Sequence, residues 1–341
     1  MEFFEFLEVL VRGESLTGKQ AEEAMLCLLE GRASPAQVAA FLVALRMKGE
    51  TAEELAGMAR AMREKAERVD AGAPGEPLLD TCGTGGDAAG TFNVSTLAAF
   101  VAAGAGVRVA KHGNRSMSSR CGSADLMEAL GVRIELTPEQ MGRAIREVGI
   151  GFLFAPAIHK ATRHAQPVRR ELRLRTVFNY LGPLTNPAGA SAQLVGAPTA
   201  QAAELMAGAL AELGLERGFV VHGSDGLDEI TTTGPTLVFE IRGGQVARRE
   251  VTPEEFGVGR ARSEDLRGGD PEANCGIARA VLSGVPGPRR DITLVNAAAA
   301  LVVAGRARDF REAMEIAAES VDSGTALRKV RELAEFTQRL S

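Results

Sequence analysis

Between Asp80 and Asp125 the chain carries three polar segments whose residue types suit one task, holding a phosphorylated ligand. The first is Asp80-Thr81-Cys82-Gly83-Thr84-Gly85-Gly86-Asp87, with three glycines in four residues. Such a loop lets a large anion reach main-chain N–H groups without side-chain obstruction. It lacks the lysine and spacing of a P-loop and does not fit GxGxxG followed by an acidic residue, so a plain tight turn stays open. The second is Asn93-Val94-Ser95-Thr96 at an expected helix start, where hydroxyls and free N–H groups bind phosphate or a cation; simple capping is the other reading of Asn93. The third, Lys111-His112-Gly113-Asn114-Arg115-Ser116-Met117-Ser118-Ser119, is dense in donors, and its lysine and arginine supply local positive charge for phosphate oxygens. Arg120 reads as exposed.

A different chemistry stands at His222-Gly223-Ser224-Asp225-Gly226-Leu227-Asp228-Glu229. Paired acids in a phosphate-binding chain suit a hard cation such as magnesium held partly through waters, with Ser95 as a further oxygen donor; the bland alternative is a solvated surface pair. From Phe154 to Pro187 the chain offers His159, His164, Arg169, Arg170, Arg175 and Asn179 before Gly182-Pro183-Leu184-Thr185-Asn186-Pro187. An arginine beside a proline-fixed loop can clamp a carboxylate through two bonds. Arg170, Arg173 and Arg175 read as a charged surface helix, and His164 carries no signal.

These segments need a scaffold, and the hydrophobic pattern specifies one. Up to about Arg68 the periodicity is helical: Phe3, Phe6, Leu7 and Leu10 share a face, Thr17 and Ser34 are N-caps, and Pro35 suits a first turn. Asp70 to Pro77 is a turn-rich hinge. Beyond it strands and helices alternate: Leu78-Leu79 as strand, 96–104 as helix, 107–109 as strand, 123–130 as helix, 132–136 as strand, then a capping box at Thr137-Pro138-Glu139-Gln140. A strand at 192–195, a helix at 200–213, a strand at 219–222 and a strand-rich excursion over 223–251 follow, before a helical C-terminal third. The alternation predicts an α/β fold: a small N-terminal all-helical domain, 1–70 with part of 160–185, and a larger α/β domain over 71–341 with a mostly parallel central sheet. No repeat of fixed period and no low-complexity tail interrupts it.

Composition fits this organisation. A chain of 341 residues, 45% hydrophobic and 24% charged, has the make-up of an ordinary globular protein with more than one core. With 39 basic and 44 acidic residues the net charge is −5, which argues against an electrostatic grip on nucleic acid or membrane. Cys27, Cys82, Cys121 and Cys275 form no CxxC pair, so the reading expects neither zinc nor disulfides and a cytoplasmic location. The acidic first residues lack a secretory pattern, and no apolar run is long enough to span a bilayer.

Taken together with Gly122-Ser123-Ala124-Asp125, Asp225-Gly226-Leu227-Asp228-Glu229 and Asn179-Tyr180-Leu181-Gly182-Pro183-Leu184-Thr185-Asn186-Pro187, the three loop segments resemble the anthranilate phosphoribosyltransferase family, over a stretch reaching from the N-terminal helices to Asn296-Ala297-Ala298. The resemblance implies the nucleoside phosphorylase type of fold, a homodimer contacting through helical domains, and transfer of phosphoribose from 5-phosphoribosyl 1-pyrophosphate to the anthranilate amine in tryptophan synthesis. It implies that Gly83, Gly86, Asp87, Thr91, Asn93, Val94, Ser95, Thr96, the run from Lys111 through Ser119, and Ser123 hold the donor. Magnesium, as two ions, would fall to Ser95, Asp228 and Glu229. Gly83, His112, Asn114, His159, Arg169 and Pro183 would line the anthranilate path, with Lys111, Asn114 and Arg169 positioning substrates and no residue acting covalently or as general base. Two positions depart from the pattern: Arg173 stands where a glycine is expected after Leu172, and Lys160 where a proline is expected after His159. A pyrimidine nucleoside phosphorylase, or a non-enzymatic nucleic-acid-binding relative, would share the fold.

Overall fold

The computed structural model describes residues 2–72, 75–85, 90–116 and 120–340. Four helices open the chain: α1 (Phe3–Val11), α2 (Gly18–Leu29), α3 (Pro35–Lys48) and α4 (Ala52–Lys65). Their starts follow the expected chemistry. The hydroxyls of Thr17 and Ser34 accept from the N–H groups of Gln20 and Gln37, and Pro35 occupies the first turn of α3.

A seven-stranded sheet follows, in the order β3-β2-β1-β4-β5-β6-β7. Its strands are β1 (Leu78–Gly83), β2 (Arg108–Gly113), β3 (Ile150–Phe154), β4 (Ala192–Gly196), β5 (Arg217–Gly223), β6 (Thr236–Arg242) and β7 (Gln245–Val251). The first five are mutually parallel, and β6 and β7 add antiparallel edges. Alternate residues face opposite cores. Ala192 and Leu194 of β4 and Phe219 and Val221 of β5 join one apolar cluster; Val195 and Val220 join the other.

The first cluster is closed by α5 (Val94–Gly104), α6 (Ser123–Ala129), α7 (Pro138–Val148) and four C-terminal helices, α12 (Pro271–Leu282), α13 (Pro288–Val303), α14 (Phe310–Asp322) and α15 (Thr325–Arg339). The second holds α1 to α4 together with α9 (Gln166–Leu172), α10 (Phe178–Leu184) and α11 (Ala200–Glu212). Between β3 and α9, a short α8 (Ala155–Ile158) and a 3-10 turn over Lys160–His164 carry the chain back to the helical layer. The connectors at 66–72 and 155–191 are tied to each other: Glu67 N–H donates to Ile158 O and Val69 N–H to Pro187 O. Lys160 adds an ion pair to Glu67 at 2.6 Å, which is what the departure at this position does.

One expected strand is absent. Residues 132–136 bury Val132, Ile134 and Leu136 and expose Glu135, the period of a strand, yet among the described residues no strand pairs with them. Arg133 N–H instead donates to the Thr337 hydroxyl of α15. Alternation reports a half-buried extended segment, and whether it joins a ladder is decided by a partner distant in sequence. The true third strand, Ile150–Phe154, is buried throughout and therefore shows no alternation.

Candidate active site

The strand order reverses between β1 and β4, the place where an open parallel sheet leaves a crevice at its carboxyl edge. There Gly83 and Gly196 pair in register. Both lack a side chain for the same reason: Asp228 lies over them. A Cβ on Gly83 would sit 2.7 Å from Asp228 Oδ2, and one on Gly196 only 1.6 Å from Asp228 O. The glycine loop answers this approach, since Gly85 N–H donates to Asp228 Oδ2 at 3.0 Å.

Glu229 is anchored to the second segment. Ser95 N–H, in the first turn of α5, donates to Glu229 Oε1 at 3.0 Å, while Ser95 O accepts from the Thr81 hydroxyl at 2.9 Å. The acidic pair is thus bonded to both the glycine loop and the α5 N-terminus, which favours negative charge. Its own loop is braced from beneath: Asp225 Oδ2 accepts from the hydroxyls of Thr231 and Thr233, each at 2.6 Å.

Asn93 precedes α5 but its side chain does not cap the helix. Its Oδ1 accepts from Asn274 Nδ2 at 3.0 Å and its Nδ2 donates to Cys121 O at 3.1 Å, joining the second segment to α12 and to the turn before α6. Thr91 forms an isolated bridge with Arg267, and Thr96 is fully buried, its hydroxyl without a partner among the described residues. Gly86, Asp87, Met117, Ser118 and Ser119 lie outside the described residues.

In the third segment two cations sit differently from the sequence reading. Lys111 is 1% exposed, and its ammonium donates to Thr81 O beside the buried carboxylate of Asp80. Burial pushes the Lys111 ammonium down and the Asp80 carboxyl up, while their attraction opposes both shifts. Asp80 also accepts from His112 N–H and from Asn186 Nδ2. Arg115 is committed to Glu128 and Asp125 on α6. The Asn114 backbone is bonded to the Ser123 hydroxyl, and Ser116 N–H reaches Asp125 Oδ2.

Beside this cluster lies a drier wall. The rings of His112 and His159 are 5.2 Å apart, and His112 Nδ1 meets Gly182 O at 3.1 Å. Both Nε2 atoms are buried without a partner among the described residues. Burial lowers His112 to about 3 and His159 to about 4, so both are neutral imidazoles near pH 7. Pro183 sits inside α10 and its carbonyl accepts from Gln193 Nε2, fixing that helix to β4. From α9, Arg169 stacks its guanidinium 4.7 Å above the Phe178 ring, half-buried and without an ion pair among the described residues.

Two matches identify the architecture by parts: residues 4–66 match the glycosyl transferase family helical bundle domain, and 75–327 match the glycosyl transferase family a/b domain. A curated anthranilate phosphoribosyltransferase from Solibacter usitatus is 64% identical over 327 residues, 96% of each chain. The chain belongs to the anthranilate phosphoribosyltransferase family. The crystal structure of the family member from Thermus thermophilus superposes with a TM-score of 0.93 at 47% identity, covering 99% of this chain and 100% of that one. The Saccharomyces cerevisiae enzyme, in complex with PRPP and Mg, gives 0.91 at 29% identity, covering 99% and 98%.

Within this family frame, several residues that brace the site have no individual role in the sequence reading. Asp80, Thr81, Asn186, Gly196 and Asn274 all act through partners far along the chain. Only the approach of Asp228 explains Gly196, and no local pattern announces it.

Proposed function

We propose that this chain transfers the 5-phosphoribosyl group from 5-phosphoribosyl 1-pyrophosphate to the amine of anthranilate, giving N-(5-phosphoribosyl)anthranilate and pyrophosphate in tryptophan biosynthesis. The observation that carries the reading is the double anchoring of Asp228 and Glu229 to the glycine loop and the α5 N-terminus at the sheet's switch point.

The donor set fits magnesium. Two carboxylates and the Ser95 hydroxyl are hard oxygen donors, and among the described residues no group of three or more His, Cys, Asp or Glu side chains forms a protein-only cage. Magnesium is characteristically held by one or two carboxylates, waters and substrate phosphates. Ser95, Asp228 and Glu229 would hold it, as two ions, and when bound it neutralises charge on the departing pyrophosphate. Gly83, Gly86, Asp87, Thr91, Asn93 to Thr96, the 111–119 loop and Ser123 receive the phosphoribosyl donor. Lys111 serves this from below, holding β1 against α5 through Thr81. Arg169 clamps the anthranilate carboxylate; the neutral His112 and His159, with Pro183, Gly83 and Asn114, orient the ring. An aromatic amine is unprotonated at pH 7, so the protein supplies alignment and exclusion of water rather than a base.

Phe4 and Val11, seven residues apart on α1, and Met47 on the adjoining α3 are exposed apolar side chains, and they support a homodimer joined through the helical domains. No described helix is long and apolar enough to cross a membrane, and the four cysteines are free; the proposal places the enzyme in the cytoplasm. Mass spectrometry of a mixture with both substrates and magnesium tests the function. Equimolar pyrophosphate and N-(5-phosphoribosyl)anthranilate are expected. Orthophosphate-dependent nucleoside cleavage in their place would assign the chain to the pyrimidine nucleoside phosphorylases.

A further inference from the structure

The peptide that follows Glu229 is held by a residue 66 positions away. Asn296, on α13, is fully buried, and its side-chain amide is bonded through both its oxygen and its nitrogen. Its Oδ1 accepts from Ile230 N–H at 2.9 Å, and its Nδ2 donates to Ile230 O and to Ile292 O, each at 2.9 Å. One amide thus satisfies both main-chain groups of Ile230, as a neighbouring strand would, and ties them to its own helix. On the other side Asp228 is pressed against Gly196. The acidic dipeptide is therefore gripped from both ends, below by a glycine and behind by an asparagine.

We infer that Asn296 is a positioning residue for metal binding, setting the backbone from which Asp228 and Glu229 present their carboxylates. This rests on the reading of that pair as the magnesium ligands. Asn296 is wholly buried and acts through the backbone it holds. It fixes where Glu229 stands relative to Ser95, and so whether the carboxylates and the hydroxyl converge. An apolar residue of similar size would fill the space yet leave the Ile230 N–H and C=O buried without partners, which the loop would relieve by moving. Partners that orient metal ligands in this way are worth about 10- to 100-fold in metal affinity.

The test uses the full-length protein with 5-phosphoribosyl 1-pyrophosphate and Mn2+ as the probe, bound metal being read from the loss of the free-ion electron paramagnetic resonance signal. Asn296→Ala should weaken Mn2+ binding about 10- to 100-fold, and Asn296→Ser, whose hydroxyl can both accept and donate without burying a charge, should recover part of the loss. Leu294→Ala, a core truncation on the same helix, should lower Tm but leave Mn2+ affinity unchanged. Should Asn296→Ala fail to fold, Asn296→Ser against Leu294→Ala decides the matter. Asp228→Asn and Glu229→Gln calibrate the assay. If these two weaken binding and the Asn296 variants do not, the inference is overturned. If these two leave binding unaltered, it is the assignment of the acidic pair that fails.

Discussion

The main chain of Asp228 runs so close to Gly196 that a single added carbon would lie 1.6 Å from the Asp228 carbonyl oxygen. Gly196 has an ordinary negative-φ backbone, so its lack of a side chain is a matter of space alone. Gly196→Ala should accordingly displace the acidic loop, lowering stability by about 2 kcal/mol and raising the magnesium concentration needed for half-maximal rate. Thermal unfolding and a magnesium titration check this. Gly276→Ala, at an exposed helical position where a Cβ meets nothing within 4 Å, should show neither effect.

Arg173 is the only non-glycine with positive φ among the described residues, at 52°, and it follows the last residue of α9. A helix ends there in a left-handed turn that glycine adopts without strain. The departure noted in the sequence therefore costs stability and leaves the turn intact. Arg173→Gly should stabilise by about 1 kcal/mol, read as a rise in Tm of about 2 °C, with kcat/KM unaltered.

Arg169 has burial that lowers its pKa, an aromatic face beneath it and no carboxylate of its own among the described residues. Supplying that carboxylate is the role proposed for anthranilate. Arg169→Ala should raise the anthranilate KM about 10- to 100-fold while leaving that of the phosphoribosyl donor near its original value. Arg169→Lys should not restore it, because a point charge cannot make two parallel bonds.

His112 and His159 are held neutral by burial, at about 3 and about 4 against an ordinary 6.5. Between pH 6.5 and these values the unfolded chain binds protons that the folded chain refuses, so stability is full above 6.5 and declines as pH falls. Tm measured from about pH 7 to about pH 4.5 should drop on the acid side. His159→Asn should make that drop shallower. The anthranilate KM should show no histidine titration between about pH 6 and about pH 8.

What was legible in the sequence was local. Glycine spacing marked the loop at the end of β1, hydroxyl caps marked α2 and α3, and the change from helices alone to strands alternating with helices marked the start of the sheet. What escaped depended on partners distant along the chain. Residues 132–136 have a strand's alternation but no ladder, and Ile150–Phe154 has the ladder but no alternation. Lys111 and Arg115 were legible as charges, but the buried Asp80 and the α6 carboxylates that engage them were not. Asn296 reads as one polar residue in an alanine-rich helix until Ile230 is placed against it.

The central claim is that the glycine loop, the α5 N-terminus and the acidic pair form one metal-dependent pyrophosphate site. Its most direct test follows anthranilate fluorescence with the donor present and magnesium added or chelated, for the native chain and for Asp228→Asn/Glu229→Gln. The account predicts a fluorescence loss in the native chain that needs both donor and magnesium, matched by pyrophosphate release, and almost none in the double variant. A variant as fast as the native chain at every magnesium concentration, or a native reaction indifferent to the chelator, would contradict it.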